Sequence, residues 1–307
     1  MNKTNALLGI DIGGSHISVA LVNTADGKLL QDTYLKKSID PREKAEKIIG
    51  DWMDAIHTCL SRTPVSLKAV GVAIPGPFDY EKGISLIAGV NKYESLYGIN
   101  IKASLQSQLT PSTTPVFFEN DAVCFGVGEC LSGLGAGYRK VMAITLGTGL
   151  GAAFIEQHEP RRTGPGVPPE GHLYNIPFKE GMAEDYISAR WLLQQVNERT
   201  GGRYTDVKEI ADLAMHQDNR EQDKEDAKAI FKMFGHHIGL FLSSRIRDYG
   251  ADCLVLGGGI IRSASLFLPA IEEVFAANNI LIPVKSSQAS ELSAIAGAAG
   301  MALKKIS

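Results

Sequence analysis

The chain has little cysteine, little net charge and no long apolar run. Its four cysteines form no Cys-x-x-Cys pair, which argues against a zinc ribbon or a redox motif. The net charge of −3 excludes the strong positive field that draws proteins to nucleic acid. No apolar run is long enough to cross a membrane, and the first residues lack a signal-peptide pattern. We therefore expect a cytoplasmic protein without nucleic-acid or membrane partners, with free buried thiols at Cys59, Cys124, Cys130 and Cys253.

The length and the order of the predicted elements indicate two α/β domains. At 307 residues the chain exceeds the usual size of one compact core. Strand and helix patterns alternate along it, which is typical of the α/β class. We predict a smaller N-terminal domain of residues 1–119 with 292–307, a larger C-terminal domain of residues 120–291, and a cleft between them.

The same strand–turn–strand pattern occurs twice. Residues 7–22 predict two short antiparallel strands joined by a glycine turn, and residues 141–155 repeat this pattern. The two patterns lie 134 residues apart, counted from Asp11 to Thr145. This repetition suggests that the chain contains two related halves.

Hydrophobic periodicity predicts the remaining elements. Residues 157–171 are rich in Pro and Gly and predict a long ordered loop or a mobile lid. The histidine pair 236–237 and the charged run 218–226 are assigned no role, because they fit a helix face without a partner cluster and a solvated helix start. The predicted helices are 41–60, 121–131, 184–199, 206–216, 225–249 and 291–303, and the predicted strands are 69–74, 116–118 and 253–256.

An acidic residue and a glycine turn end the first predicted strand. Asp11 precedes Gly13, Gly14 and Ser15, and glycines without Cβ atoms let backbone amides approach phosphate oxygens. A carboxylate among phosphates implies Mg²⁺, which neutralises the phosphate oxygens. Taken alone, the motif is equally well explained as a structural turn.

Two further glycine-rich turns follow later strands. Tight turns or close helix packing could explain either of them alone. Three such turns in one chain favour a single extended nucleotide ligand. The candidate nucleotide-binding residues of these two turns are Thr145, Gly147, Thr148, Gly149, Gly257, Gly258 and Gly259.

A polar triple, Glu119, Asn120 and Asp121, follows the apolar strand predicted at 116–118. Burying such groups without a purpose would be costly. One interpretation makes Asp121 the base that accepts a proton from a substrate hydroxyl, with Asn120 donating to a neighbouring hydroxyl. The second interpretation is a helix N-cap by Asn120 or Asp121.

Together and in this order, the motifs resemble the ROK family of bacterial sugar kinases and repressors. The resemblance covers nearly the whole chain and rests on the Asp11 turn and on residues 75–77, 119–121, 145–151, 170–172 and 257–259. It implies a two-domain actin-like ATPase (ribonuclease H-like) fold, Asp121 as the catalytic base, and ATP with Mg²⁺ near Asp11. It also implies a sugar held by Asn120, His172 and Glu184. Gly76, Asp121 and Glu170 are further candidate substrate-binding residues, and we expect a homodimer or higher homo-oligomer.

The chain departs from the family pattern at two points. Family members usually bind a structural zinc through a histidine and three cysteines, but residues 175–184 contain no cysteine, so we expect no structural zinc. His172 is then expected to donate to the sugar or to serve as a satisfied loop histidine. The usual sugar-binding glutamate lies three residues before that histidine, where this chain has Pro169; Glu170 either replaces it or one sugar contact is lost.

These features predict an ATP-dependent hexose kinase, glucose being the first candidate substrate because it is common in the family. A sugar-responsive repressor is the main rival hypothesis, and the six residues before the first strand leave no room for a helix-turn-helix. An ATPase of the same fold without a sugar acceptor and a catalytically idle sugar sensor are two further hypotheses.

Overall fold

The computed structural model describes residues 3–89, 92–215 and 221–307. Short 3₁₀ turns connect several of the elements. The strands are β1 (Thr4–Ile12), β2 (His16–Asn23), β3 (Leu35–Ser38), β4 (Val65–Ile74), β5 (Phe78–Asp79), β6 (Ile84–Ser85), β7 (Val116–Asn120), β8 (Lys140–Leu146), β9 (Leu150–Glu156), β10 (Glu159–Arg161), β11 (Pro177–Phe178), β12 (Gly181–Met182), β13 (Cys253–Gly257) and β14 (Val284–Ser286). The helices are α1 (Ala45–Ser61), α2 (Ile101–Gln106), α3 (Asp121–Ser132), α4 (Ala183–Tyr186), α5 (Ala189–Thr200), α6 (Val207–Met215), α7 (Glu221–Tyr249), α8 (Leu268–Ala277) and α9 (Ser290–Ile306).

The chain divides into two compact units. Unit 1 comprises Met1–Gly133 with Glu291–Ser307, and unit 2 comprises Leu134–Ser290. The predicted domain boundary after residue 119 lies before α3, whereas the structure groups α3 with unit 1. The reason is close packing on α9, since a Cβ on Gly128 would lie 1.8 Å from the Ser293 carbonyl oxygen.

Unit 1 is built on a five-stranded sheet of order β3-β2-β1-β4-β7. β2 pairs antiparallel with β1 and β3, while β1, β4 and β7 are parallel. β1 is buried on both faces, which explains its almost continuous apolar sequence. Leu8 packs in one core with Trp52 of α1, and its neighbour Leu7 packs in another with Ala299 of α9. The sheet therefore has helices on both faces.

Unit 2 repeats this arrangement with the order β10-β9-β8-β13-β14. β9 pairs antiparallel with β8 and β10, and β8, β13 and β14 are parallel. Both strand–turn–strand predictions are confirmed, and the shared strand order confirms the two related halves. The core of unit 2 joins sheet residues such as Ile144 to Phe231 and Phe234 of the long helix α7.

Two local predictions are wrong. The predicted helix 184–199 is broken into α4 and α5, because Ser188 is extended and its side chain accepts a hydrogen bond from the Trp191 N–H at 3.4 Å. The predicted loop 157–171 contains β10 and a 3₁₀ turn at Pro169–Gly171. His216 and residues 218–220 of the charged run lie outside the described residues.

The four cysteines are buried thiols outside any disulfide, as predicted from their spacing. Within the described ranges, no helix is both long enough and apolar enough to span a bilayer.

Candidate functional site

The fold brings Asp11 and Asp121 to the same edge of the unit 1 sheet. β1, β4 and β7 are parallel, so their carboxyl ends share one edge, where ligands commonly bind in such sheets. Asp11 is aligned with Ala73 of β4, and Ala73 is aligned with Glu119 of β7. Asp121 follows β7 as the first residue of α3. Sequence positions 110 residues apart thus become neighbours at one sheet edge.

Both carboxyl groups hold protons more tightly than an exposed aspartate. Burial raises the pKa of Asp11 well above its usual value, and the nearby carboxylates of Asp121 and Glu291 raise it further, while Lys36 lowers it. Burial also raises the pKa of Asp121, opposed mainly by the Ala122 N–H, which donates to its Oδ1 at 2.9 Å. Carboxyl groups with such shifts are typical of sites for proton transfer or cation binding.

Asn120 caps helix α3. Its Oδ1 accepts hydrogen bonds from the N–H groups of Ala122 at 3.0 Å and Val123 at 3.2 Å, so the predicted N-cap is present. Its Nδ2 donates to the Tyr80 hydroxyl at 3.4 Å. A Cβ on Gly76 would lie 3.3 Å from the same hydroxyl oxygen. Tyr80, which the sequence analysis missed, therefore brings together two predicted substrate residues, Gly76 and Asn120.

The first glycine turn is closed by its own hydrogen bonds. The Gly13 N–H donates to the His16 carbonyl at 2.9 Å, and the Tyr93 hydroxyl donates to the Gly13 carbonyl at 2.6 Å. The N–H groups of Gly14 and Ser15 have no partner among the described residues. The amides of this turn that are free to meet an anion are thus those of Gly14 and Ser15.

Glu291 forms a second polar cluster in unit 1, next to Asp11. Its carboxylate accepts hydrogen bonds from Ser18 Oγ at 3.2 Å, the Tyr34 hydroxyl at 3.1 Å and Lys36 Nζ at 2.5 Å. Burial would raise the pKa of Glu291, but Lys36 and His16 outweigh it and the pKa is lowered. The sequence analysis missed this cluster, because Glu291 lies more than 250 residues along the chain from each of its three partners.

The carboxylate of Glu184 in α4 contacts the second glycine turn, in unit 2. Glu184 Oε2 accepts a hydrogen bond from the Leu150 N–H at 3.0 Å. A Cβ on Gly149 would lie 2.4 Å from this oxygen, so a side chain there would displace the Glu184 carboxylate. An open cavity of about 460 Å³ lies beside the turn, lined by Thr148, Ala189, Arg190, Leu193, Thr205, Asp206 and Val207.

The third glycine cluster lies against the second turn. Gly258 adopts φ +90°, a conformation that side chains disfavour, and a Cβ there would lie 2.4 Å from the Leu146 carbonyl oxygen. Leu146 ends β8, immediately before Gly147. The structure thus brings together two of the three predicted glycine turns within unit 2.

Tyr174 links two predicted sugar-binding residues in unit 2. The His172 ring lies 5.4 Å from the Tyr174 ring, centroid to centroid, and the Glu184 N–H donates to the Tyr174 carbonyl at 3.1 Å. Tyr174 is exposed, and the sequence analysis missed it. Glu170 is also exposed and adopts φ +57° in a 3₁₀ turn, one residue before the buried Gly171.

The histidine pair proved to have partners, contrary to the sequence analysis. His237 is buried, and its Nε2 lies 2.5 Å from Lys179 Nζ. His236 lies 3.4 Å from Glu273 Oε2. The pattern of a helix face was correct, but the partners come from other elements of unit 2.

The sequence profile of the ROK family matches residues 7–305. The chain belongs to the ROK family. The predicted resemblance is thereby confirmed. A glucokinase of Thermotoga maritima is 27% identical over 300 residues, covering 87% of this chain and 86% of that protein. A xylose repressor of Bacillus subtilis is 24% identical over 275 residues, covering 87% of this chain and 67% of the repressor.

Solved ROK structures have the same fold. A glucokinase from Streptomyces griseus, determined in complex with glucose and AMPPNP, superposes with a TM-score of 0.74 at 25% identity, covering 97% of this chain and 99% of that chain. The predicted α/β, actin-like ATPase fold is therefore confirmed. ROK relatives include kinases and repressors at similar identity, so family membership alone leaves the activity open.

Proposed function

We propose that this ROK protein transfers the γ-phosphoryl group of ATP to a hydroxyl of a hexose, with Asp121 as the general base. The observation that carries the proposal is the pair of carboxyl groups with raised pKa, the buried Asp11 and the half-buried Asp121, at the carboxyl edge of the unit 1 sheet. Burying two carboxylates near each other opposes folding, so the pair is expected where the chemistry needs it. Sugar-kinase relatives support the same assignment.

The proton step is assigned to Asp121. Its carboxylate accepts the proton of the attacking sugar hydroxyl, and the hydroxyl oxygen forms a bond to the γ-phosphorus. The bond between the γ-phosphorus and the oxygen that bridges it to the β-phosphate breaks, and ADP leaves with that oxygen. A raised pKa makes Asp121 a stronger base than an exposed aspartate. The Ala122 N–H and the Asn120 cap hold this carboxylate at the start of α3, ready to meet the hydroxyl.

Asp11 offers one oxygen ligand to a hard divalent cation, and the phosphates of ATP would supply others, because the described residues contain no group of three or more His, Cys, Asp and Glu side chains that could hold a metal ion alone. Oxygen ligands suit Mg²⁺, and the carboxylates of Asp121 and Glu291 that raise the pKa of Asp11 create a local excess of negative charge. We assign Asp11 as the residue that holds Mg²⁺ with ATP. When bound, Mg²⁺ would neutralise the negative charge on the phosphate oxygens. Gly14 and Ser15 are assigned to the phosphates through their free amides.

In unit 2, we assign the residues around the second and third glycine turns to the nucleotide: Thr145, Gly147, Thr148, Gly149, Gly257, Gly258 and Gly259. The open cavity beside Thr148 supports this assignment, because ligand sites are concave and partly preformed. Gly76 and Asn120 of unit 1 and Glu170, His172 and Glu184 of unit 2 are assigned to the sugar. Of the last three, His172 and Glu184 contact the same residue, Tyr174.

A sugar-responsive regulator without kinase activity is the second candidate, because xylose repressors match the chain at identities similar to those of the glucokinases. A kinase and a regulator differ in one measurable property, because a regulator binds sugar but releases no ADP. An ATPase of the same fold would release ADP at the same rate with and without sugar.

A coupled assay of ADP release distinguishes these candidates. The purified chain is supplied with ATP and Mg²⁺ and with glucose, fructose, mannose, allose, N-acetylglucosamine or N-acetylmannosamine in turn, with a control that lacks sugar. The kinase proposal predicts ADP release that depends on one or more of these sugars, with sugar phosphate formed in equal amount. Release independent of sugar, or no release while calorimetry detects sugar binding, would contradict it.

A further inference from the structure

A small hairpin precedes the helix that carries Glu184. In this hairpin Pro177 pairs with Met182 and Phe178 with Gly181, and Lys179 lies in the turn with φ +54°. The following helix, α4, has four residues, which is too short to be stable without tertiary contacts. The position of Glu184 therefore depends on what holds the hairpin and α4 in place.

The Lys179 side chain reaches from the hairpin to helix α7. Its Nζ lies 2.5 Å from Nε2 of His237. It also lies 5.3 Å from the ring centroid of Tyr186 in α4 and 5.7 Å from that of Phe178 in β11. Both distances are within the range in which an ammonium group is attracted to an aromatic face. One cation thus contacts the hairpin, α4 and α7.

His237 can accept a hydrogen bond from this ammonium only as a neutral imidazole. The residue is 3% exposed, and its ring packs against those of Trp191, Tyr186 and Phe178. Burial, followed by the charge of Lys179, lowers the pKa of His237 to about 4; His236 lowers it further and the Tyr186 carbonyl opposes the shift. The imidazole is therefore neutral near pH 7 and available as an acceptor.

The contacts of α4 connect this cation to the second glycine turn. Tyr186 contacts Lys179 and His237, and Glu184 lies two residues earlier in the same helical turn. The Glu184 carboxylate accepts the Leu150 N–H, and its own N–H donates to the Tyr174 carbonyl. A shift of Tyr186 would therefore move the carboxylate relative to both the turn and Tyr174.

We propose that Lys179 is a positioning residue for Glu184, acting as a clamp that ties the β11–β12 hairpin and α4 to His237 on α7. The proposal rests on the proposed function, because it assigns the clamp to the sugar-binding part of that function. Most surface lysines contribute little to stability. Lys179 differs from them because its head group meets a buried acceptor and two aromatic rings at once.

Enzyme kinetics test the positioning role. Lys179→Met keeps the apolar stem and removes the ammonium, so we expect the KM for the best sugar of the panel to rise about tenfold, while kcat changes by less than about threefold. Lys179→Arg keeps a cationic donor, so its KM should rise less than that of Lys179→Met. A matched control is Lys228→Met, which removes a lysine on α7 that pairs with Glu225 on the surface. An unchanged KM in Lys179→Met, or a KM that also rises in Lys228→Met, overturns the proposal.

The pKa of His237, measured by NMR titration of its imidazole, tests the clamp without relying on kinase activity. His237→Gln identifies the resonance. In Lys179→Met the pKa should rise from the wild-type value towards 6.5, because the nearby positive charge is gone. In Lys228→Met it should stay at the wild-type value. If the wild-type chain releases no ADP with any sugar, the proposed function fails, but the titration still decides the clamp. An unshifted pKa in Lys179→Met overturns the clamp whatever the kinetics show.

Discussion

The glycine turn after β1 and the glycine turn after β8 occupy the same place in two sheets of the same strand order, but their chemistry differs. Asp11 pairs with Ser18 across its hairpin and with Ala73 of the parallel strand, and Thr145 pairs with Gly151 and Gly257 in the same way. The equivalent position thus holds a buried carboxyl group in unit 1 and a neutral hydroxyl in unit 2.

The difference extends to the carboxylates around each turn. In unit 1, burial and neighbouring carboxylates raise the pKa of Asp11. In unit 2, the carboxylate on the turn belongs to Glu184, and it accepts a backbone hydrogen bond from Leu150. This difference supports the proposed division of roles, with proton transfer and cation binding assigned to unit 1 and hydrogen bonding to the ligand assigned to unit 2. A common topology fixes where side chains lie, while the residues at those positions decide which chemistry is possible.

The largest expected effect tests the division of chemistry between the two units. Asp121→Asn keeps the shape of the side chain and removes the base, so kcat should fall by about 10²- to 10⁴-fold while sugar binding persists. Glu184→Gln in unit 2 should mainly raise the KM for the sugar. Both are measured by coupled ADP release and by calorimetry. Asp54→Asn, at a surface position of unit 1, is the control. Near-normal turnover in Asp121→Asn would remove Asp121 as the base.

The next effect concerns the dependence of stability on pH, which has opposite signs in the two units. The pKa of His237 is about 4 in the folded chain and about 6.5 in the unfolded chain, so the unfolded chain binds the proton at a higher pH than the folded chain does. The folded state therefore loses stability as the pH falls from about 6.5 to about 4. The full effect is about 3 kcal/mol. The raised pKa of Asp11 acts the other way, because stability is lost as the pH rises above 3.8 through the raised value.

Urea denaturation between pH 4.5 and pH 8 measures the His237 contribution. Trp191, which packs against His237, reports on unit 2 in a Trp52→Phe background, where it is the only remaining tryptophan. The steep loss of stability below pH 6.5 should disappear in His237→Gln. If His237→Gln and the parent protein lose stability in parallel as the pH falls, the assignment of His237 as a buried neutral imidazole is wrong.

A smaller effect tests how closely the helices of unit 1 pack. A Cβ on Gly128 of α3 would meet the Ser293 carbonyl oxygen of α9, so Gly128→Ala should lower the free energy of unfolding by about 1–3 kcal/mol. Gly50, in the middle of α1, has no atom within 4 Å of an added Cβ. Gly50→Ala should therefore raise the stability by about 0.5–1 kcal/mol. Trp52 fluorescence during urea denaturation, in a Trp191→Phe background, measures both variants, and equal losses of stability would show that helix packing is not the cause.

The sequence contained enough information for the strand–turn–strand units, because their apolar residues recur with the period of a strand and their glycines mark the turns. The start of α3 was also predictable, since Asn120 and Asp121 follow a strand and precede an apolar run. The break between α4 and α5 had a signal in Ser188, a common N-cap residue, but the apolar periodicity on both sides concealed it.

Contacts between distant residues could not be predicted. Glu291 accepts a hydrogen bond from Ser18, and Lys179 contacts His237, which lies 58 positions further along the chain. Neither pair produces a local pattern in the amino-acid sequence. The same limit applies to Tyr80, which contacts Asn120 from 40 positions away. Periodicity describes which face of an element is buried, whereas a polar pair in the folded chain depends on how the elements pack.

The smallest expected effect separates the two interpretations of Asn120, a cap and a sugar ligand. Asn100 caps α2 in the same unit by accepting the Ala103 N–H at 2.9 Å, and it lies outside the proposed sugar residues. Asn120→Ala and Asn100→Ala should each lower the free energy of unfolding by about 1 kcal/mol. Only Asn120→Ala should also raise the KM for the sugar.

Asn120→Ser completes this comparison, because serine restores an N-cap without restoring the amide. If Asn120 binds the sugar, the serine variant should recover the stability but keep the raised KM, since the lost donor to the substrate hydroxyl is not replaced. Recovery of both quantities would mean that Asn120 acts only by capping α3, and that it affects the reaction only by placing Asp121 at the start of that helix. Denaturation and steady-state kinetics on the same protein preparations therefore distinguish a ligand from a cap.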